Sequence, residues 1–424
     1  MRLPMLCLFG IALMSLGAAG AEVWIVDQGG GGDFYAIQEA IDASASGDEI
    51  RVEPGVYYEN LDYGGKSLWI HSTSGAAGTT IDGSNGNTCV KFQSGETSDA
   101  ILEGFTVRGG QGSAEYLYGG GILCWLSSPT IRDCWITDNT ADHGGGLYME
   151  ESNVIIEDCD FSGNLAHRYG GAVNGNGSPT IRDCLFEANT SSMRGGAIAS
   201  GDLGGVIEDC VFRYNTALQG GAIEMGHAPA NPVIRNCVFH DNSALDGHGG
   251  AIRTHEASTV IETCIFYHNR ATVDGGGFMG HDGGTPSLFG CTFFANEADR
   301  YGGNLAVWFG THAIVSNCII ADAPGNGGLF VSGATVTLAC NDAWNNQGGN
   351  YVGVPDPTGQ DGNISADPIF CGPTEEDFTL RSDSPCAAEN NPGCGLIGAL
   401  DVGCEPPTPA RDLSWGEIKQ IFRD

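Results

Sequence analysis

The 424 residues carry 52 Asp and Glu against 18 Lys and Arg, a net charge of −34. Such acidity disfavours nucleic acid and anionic membrane as partners and suits cations or neutral and basic ligands. The 67 glycines follow no three-residue period, which excludes collagen, and a hydrophobic fraction of 41 % excludes wholesale disorder.

Residues 1–21 read as a signal peptide. Arg2 gives a thin positive start, residues 6–16 are an apolar run, and Ala19-Gly20-Ala21 is a small-residue cleavage site. The run is too short to span a membrane, and no later stretch reaches the roughly 18 apolar residues a span needs. The mature chain is therefore expected outside the cytoplasm, secreted or surface-held, with no transmembrane span. Residues 33–43 (DFYAIQEAIDA) put Phe34, Ile37 and Ile41 on one face, which predicts a helix with Asp33 as N-cap. Such a helix plugs the open end of a coil stack. Residues 49–52 (EIRV), 54–57 (PGVY) and 67–71 (SLWIH) read as the first strands. Less regular coils run through residues 88–130.

A cysteine column then takes over. Cys134, Cys159, Cys184, Cys210, Cys237, Cys264, Cys291 and Cys318 lie 25 to 27 residues apart. The first seven open the phrase Cys-x-apolar-x-x-Asn, with Ile136, Phe161, Phe186, Phe212, Phe239, Phe266 and Phe293 at the apolar position. Asn139, Asn164, Asn189, Asn215, Asn242, Asn269 and Asn296 close it. A Gly-Gly pair and a short apolar strand follow each Asn. A leucine-rich repeat shares part of this template, but its return segment would be helical and Leu-rich. Here the return half is Gly-Gly, β-branched residues and turn formers, so a parallel β-helix fits better. Stacking at about 4.8 Å then aligns Phe on Phe inside and Asn on Asn at a bend, and parallel crossovers are right-handed. Buried thiols, acting as small apolar residues, are expected for the cysteine column.

These phrases carry a resemblance. GDFYAIQEAID and IRVEPGVYYEN resemble the cap and first coils of pectin-lyase-like right-handed β-helices. Residues 119–320 resemble the repeats of chlamydial polymorphic membrane proteins, through GGAI at 195–198, 220–223 and 249–252 and FxxN as FEAN at 186–189 and FHDN at 239–242. The resemblance implies a β-helix and an adhesive role. The chain departs from those adhesins in lacking a run of amphipathic strands long enough for their membrane barrel.

Three columns face outward. Arg132, Glu157, Arg182, Glu208, Arg235 and Glu262 alternate in sign coil by coil and read as a register-setting charge ladder. Asp133, Asp158, Asp183 and Asp209, followed by Asn236, read as a bend column, with calcium as the alternative. The third set follows the Gly-Gly strands: Glu224, His227, Arg253, His255, Glu256, His281, Asp282 and His312. We take Glu224, His227, Arg253, His255, His281 and Asp282 as the ligand-binding candidates, because a patch of acids and imidazoles can grip a sugar, bind a metal or move protons. Solvated turn residues are the competing account.

Of the motifs of polygalacturonase-like hydrolases only Gly247-His248-Gly249 occurs, without its partners, and it reads as part of the glycine-rich repeat. With only Lys66, Lys91 and Lys419 in the chain, Arg253 is the best candidate for a lyase-type base. No catalytic residue, metal ligand or cofactor is assigned; calcium is the one ion entertained.

Beyond Cys318 the pattern decays. Residues 345–363 read as a loop and 366–404 as a closing segment whose Cys371, Cys386, Cys394 and Cys404 form two bridges that clamp the C-terminal cap. Residues 405–411 are a Pro-rich linker. Residues 412–424 form a short helix with a Ser414–Glu417 capping box and Trp415, Ile418 and Phe422 on one face, either a cap or a sorting tail.

The expected molecule is an all-β, right-handed parallel β-helix over residues 22–404 with coils of 25–27 residues and an N-terminal capping helix. It is a monomer that meets extracellular polysaccharide or cell-surface molecules and no nucleic acid. Non-catalytic glycan binding or adhesion leads; a polysaccharide lyase or glycoside hydrolase is the alternative, and a structural spacer is the third reading.

Overall fold

The computed structural model describes residues 20–84, 86–112, 117–226 and 231–406. Residues 1–19 of the expected signal peptide, residues 407–411 of the expected linker and the whole of the expected C-terminal helix lie outside the described residues.

Each period of the sequence is one coil of a parallel β-helix. In one representative coil, Thr180–Arg182 lies in sheet A, Leu185–Glu187 in sheet B, Thr190–Ser191 in a narrower sheet D and Ile198–Ser200 in sheet C. Among the described residues sheets A, B, C and D have 13, 12, 12 and 7 strands, all pairing in parallel with the coils before and after. Register is kept without slippage in the core columns: Ile156, Ile181, Ile207, Ile234 and Ile261 are successive partners.

Two bends per coil need left-handed backbone, which short polar side chains tolerate better than most. Asp133, Asp158, Asp183, Asp209 and Asn236 sit at φ of 51° to 54° at the A-to-B bend. The Asp column is therefore a bend column. The charge ladder also forms, with Arg132 on Glu103, Arg182 on Glu157 and Arg235 on Glu208.

Glycine is required at the D-to-C corner. A Cβ on Gly196 would strike the Gly221 carbonyl of the next coil, and one on Gly195 (φ 62°) the Ile198 carbonyl.

Inside, Phe161, Phe186, Phe212, Phe239, Phe266 and Phe293 stack with ring centroids 4.5–5.0 Å apart. Full burial of each contributes about 1.5–3 kcal/mol. The asparagines form the buried polar counterpart. Each Nδ2 donates to the next Oδ1 at 2.8–3.1 Å, from Asn139 through to Asn296. A second donation goes to a backbone carbonyl, as from Asn215 to Phe186 at 2.8 Å. Every amide of the ladder is thus satisfied, which buried polar groups require.

The eight column cysteines are buried and free, as expected. Their thiols reach backbone carbonyls, as Cys159 does to Glu157 at 3.2 Å. Burial pushes the Cys124, Cys159 and Cys264 thiols well above their ordinary range, so they stay protonated.

The ends differ from the sequence reading. The helix is Ile37–Ala43, and Ala36 is its N-cap. Asp33 instead accepts from the Ile25 N–H at 2.9 Å, holding the turn before the helix. Glu59, 22 residues on, takes the cap: its carboxylate accepts from the N–H groups of Ile37 and Gln38 at 2.8 and 2.9 Å. Residues 345–363 are largely irregular, as the loop reading has it, but they also join the coil stack. They supply the sheet C strand Tyr351–Val352 and continue both inner columns in asparagine. Asn341 takes over from Cys318 and donates to Asn363 at 3.0 Å, while Asn304, Asn346 and Asn350 extend the ladder beyond Asn296.

The closing segment does not cap the end. It forms a three-stranded sheet of Phe370–Gly372, Asp377–Arg381 and Val402–Cys404. This flap lies on the outer face of sheet B, where Phe378 packs on Tyr267, Ile265 and Phe294. Two disulfides hold it, Cys340–Cys394 and Cys371–Cys404. Cys386 stays a buried thiol, and Cys340 takes its expected place, because Cys386 faces the Asp342 carboxylate, 3.0 Å away, and no cysteine.

No helix among the described residues is long and apolar enough to cross a membrane.

Candidate functional site

Each sheet C strand leaves its Gly-Gly corner with alternating side chains. Ile198, Ile223, Ile252 and Phe278 point into the core. The residues between point out and stack in register: Leu123, Tyr148, Asn174, Ala199, Glu224, Arg253, Met279, Ala306 and Phe330. All nine are nonetheless buried.

A second column accounts for that. The residue before each Gly-Gly pair forms its own backbone ladder through His143, Tyr169, Arg194, Gln219, His248, Asp274 and Tyr301. The corner between sheets D and C is concave, so this column stands as a wall over the outward floor. Between them lies a cavity of about 220 Å³, open to solvent on one side, lined by Tyr169, Asn174, Arg194, Ser200, Glu224 and Gly226 among others.

Charge concentrates in the middle of the floor. Arg253 Nη1 bonds Glu224 Oε1, and both side chains are nearly inaccessible to solvent, at 7 % and 4 %. Glu224 Oε2 and Arg253 Nε are buried with no hydrogen-bond partner among the described residues. Burial pushes the Glu224 carboxyl above the usual range, against the opposing pull of Arg253, Arg194 and His248. On the wall, His248 Nδ1 lies 3.2 Å from Oδ2 of the fully buried Asp274. Arg300 grips both oxygens of that carboxylate at 2.9 and 2.5 Å. Burial works to raise Asp274, but the Arg300 and His248 contacts outweigh it and hold the group below its ordinary value. The guanidinium of Arg300 also covers the rings of Tyr301 and Trp308, 5.5 and 5.4 Å from their centroids.

His255 and His281 are register partners at the far ends of their strands, with ring centroids 6.0 Å apart. Asp282 Oδ2 lies 3.4 Å from His255 Nδ1 and 2.7 Å from His281 Nδ1. Burial chiefly lowers the His281 pKa, assisted by Arg253, His248 and His255 and opposed by Asp282. The imidazole is therefore held toward its neutral form.

Aromatic rings flank this centre. Tyr118 and Tyr148 stack at 4.4 Å toward one end of the groove, and Tyr301 and Phe330 at 4.3 Å toward the other.

Of the sequence candidates, the structure brings Glu224, Arg253, His255, His281 and Asp282 together on three neighbouring coils. His227 lies outside the described residues. Glu256 occupies a left-handed turn at φ 58°, one residue past the patch. His312 is not part of it: it opens the sheet A strand His312–Ser316, and its Nδ1 pairs with Thr335 Oγ1 at 2.6 Å.

Arg194, His248, Asp274 and Arg300 were not among the candidates. For Arg194, His248 and Asp274 the signal was the position before the Gly-Gly pair, with Arg300 one residue earlier on its own coil, but the Asn-to-Gly spacing varies between coils and hid the column. His248, set aside with its Gly-His-Gly motif, stands in the groove wall.

The sequence matches the family described as "Right handed beta helix region" over residues 68–218 and 174–343. No curated protein matches it. Among solved structures it is similar to a pectin methylesterase from carrot, at 14 % identity and TM-score 0.34, covering 83 % of this chain and 90 % of that one. It is also similar to the pectate lyase Pel9A, at 13 % identity and TM-score 0.45, covering 91 % and 98 %. A third is the catalytic unit of a GH87 α-1,3-glucanase from Streptomyces thermodiastaticus strain HF3-3, at 16 % identity and TM-score 0.43, covering 78 % and 66 %. These likenesses transfer no substrate and no residue role to this chain.

Proposed function

This chain belongs to the right-handed β-helix family, and from the groove on its sheet C face we propose that it binds a polysaccharide strand laid along the solenoid axis, outside the cytoplasm. The observation that carries this reading is the cavity at Tyr169, Arg194 and Glu224. At about 220 Å³, it is smaller than the roughly 300–1,000 Å³ of pockets that enclose a whole small ligand. Being open as well, it takes one portion of a longer ligand. Ring stacks toward both ends offer platforms for the apolar faces of sugar rings, and the charged centre offers hydrogen bonds to hydroxyls or carboxylates. The two disulfides of the flap support an oxidising compartment. An adhesive role on a cell surface rests on the GGAI and FxxN phrases shared with chlamydial polymorphic membrane proteins.

The test is retention of the purified chain on acidic and neutral polysaccharides. Retention that falls at least about tenfold on Tyr169→Ala or Arg194→Ala is the expected result, about 1.4 kcal/mol per variant. No retention by a chain with β-sheet circular dichroism, or retention indifferent to both variants, overturns the reading.

One observation favours cleavage as a second reading. Glu224 is held toward its protonated form with one oxygen unbonded, which suits a proton donor to a leaving glycosidic oxygen. Release of new reducing ends, abolished by Glu224→Gln, would establish it. Absence of release from a chain that retains glycan rules it out in favour of binding.

A further inference from the structure

We propose that His255, His281 and Asp282 form a binding site for a borderline first-row divalent cation of the zinc class. One ligand atom from each of the three lies within 4.8 Å of the other two. The two histidines are locked as register partners on adjacent parallel strands, so the fold itself fixes the separation of their rings. Asp282 follows His281 at φ 60°, a bend that brings its carboxylate back between the two imidazoles. In the tetrahedral geometry of zinc, two donors about 2.1 Å from the cation stand about 3.4 Å apart. Closing on an ion therefore draws the most separated pair together by up to about 1.4 Å, a movement shared by the His255, His281 and Asp282 side chains.

A second observation concerns His281 Nδ1. It is shut off from solvent and makes no hydrogen bond, although it lies 2.7 Å from the Asp282 carboxylate. An imidazole nitrogen and a carboxylate oxygen that converge outside hydrogen-bond geometry are the arrangement a cation satisfies. Phe309 meets the His281 ring edge-on at 5.7 Å and fixes its plane.

Imidazole with carboxylate selects zinc, nickel, copper or cobalt over calcium, which takes six to eight oxygens. Arg253, whose charge acts on His281, is engaged by the Glu224 carboxyl on the neighbouring coil. Three protein donors leave at least one coordination position for water or a ligand oxygen. The inference is independent of the glycan reading, because metal uptake is measured without glycan.

The experiment is titration of the full, metal-stripped chain with Zn²⁺ by calorimetry and with Co²⁺ by visible absorption, with Ca²⁺ as comparison. One equivalent of zinc and a ligand-field band for cobalt are expected, with no heat from calcium. His281→Gln and Asp282→Asn should each weaken zinc by more than about tenfold, while His312→Ala leaves it unchanged. Circular dichroism identifies any variant that fails to fold, and His255→Asn then serves in its place. Folded wild-type chain that takes up no zinc, or variants that bind as tightly as wild type, would overturn the proposal.

Discussion

At the residue scale, burial decides which polar groups this fold can hold. The ladder asparagines are buried without cost in unmet hydrogen bonds because every amide proton has an acceptor. Asp342 is the counterexample. It is fully buried on sheet B beneath the flap, accepting from the Ala366 N–H at 3.0 Å and from the Cys386 thiol. Burial dominates, and its pKa is pushed up from 3.8 to about 6 despite those two bonds. A carboxyl whose folded pKa is raised contributes stability below the unfolded value and loses it as pH rises through the folded value. From this group, stability is fully present below about pH 4 and gone above about pH 6. A two-unit shift corresponds to about 3 kcal/mol. Asp342→Asn keeps the acceptor for Ala366 and removes the charge. It should therefore raise stability by about 2–3 kcal/mol at pH 8 and by little at pH 4, read from urea midpoints at the two pH values.

At the element scale, the N-terminal helix and the flap depend on partners remote in sequence. The helix of seven residues is too short to stand alone. It persists because Ile37, Ala40 and Ile41 close the first coil and because Glu59 neutralises its N-terminal amides. Glu59→Ala should cost about 1 kcal/mol, as loss of an N-cap does. Hydrogen exchange would place the loss at residues 37–43 and the adjoining coil, and a spread of faster exchange into the cysteine-column coils would contradict this role. The helix was visible in the 3.6-residue spacing of its apolar face. Its start was not, since Asp33 has the right chemistry for a cap and the chain turns away from it. The flap was placed at the end because nothing in residues 366–404 marks the side of sheet B as its seat. Only Tyr267, Phe294 and Ile265, apolar residues facing outward on sheet B, carried that information.

Across the whole molecule, the buried thiols report on how the solenoid opens. Among the described residues eleven free cysteines, from Cys89 to Cys386, are all buried. A thiol reagent should therefore modify none of these eleven in the native chain. In a stack where each coil touches only its neighbours, unfolding proceeds through units along the axis. Labelling in rising urea, followed by mass mapping, should show the cysteines exposed in contiguous blocks. Modification of interior column cysteines before those of either end would refute this order.

The 25–27-residue period, the Cys-x-apolar-x-x-Asn phrase and the Gly-Gly return half sufficed to fix a parallel β-helix. A solenoid repeats one local solution, so each inner column is written in the sequence at a constant offset. The same offsets placed Glu224, Arg253, His255, His281 and Asp282 near one another. Tertiary structure alone decided the rest. It made the D-to-C corner concave, set His248 and Asp274 over Glu224 and Arg253, and folded the flap onto sheet B. Those arrangements depend on loop lengths that differ between coils and on contacts between coils, and neither leaves a fixed spacing to read.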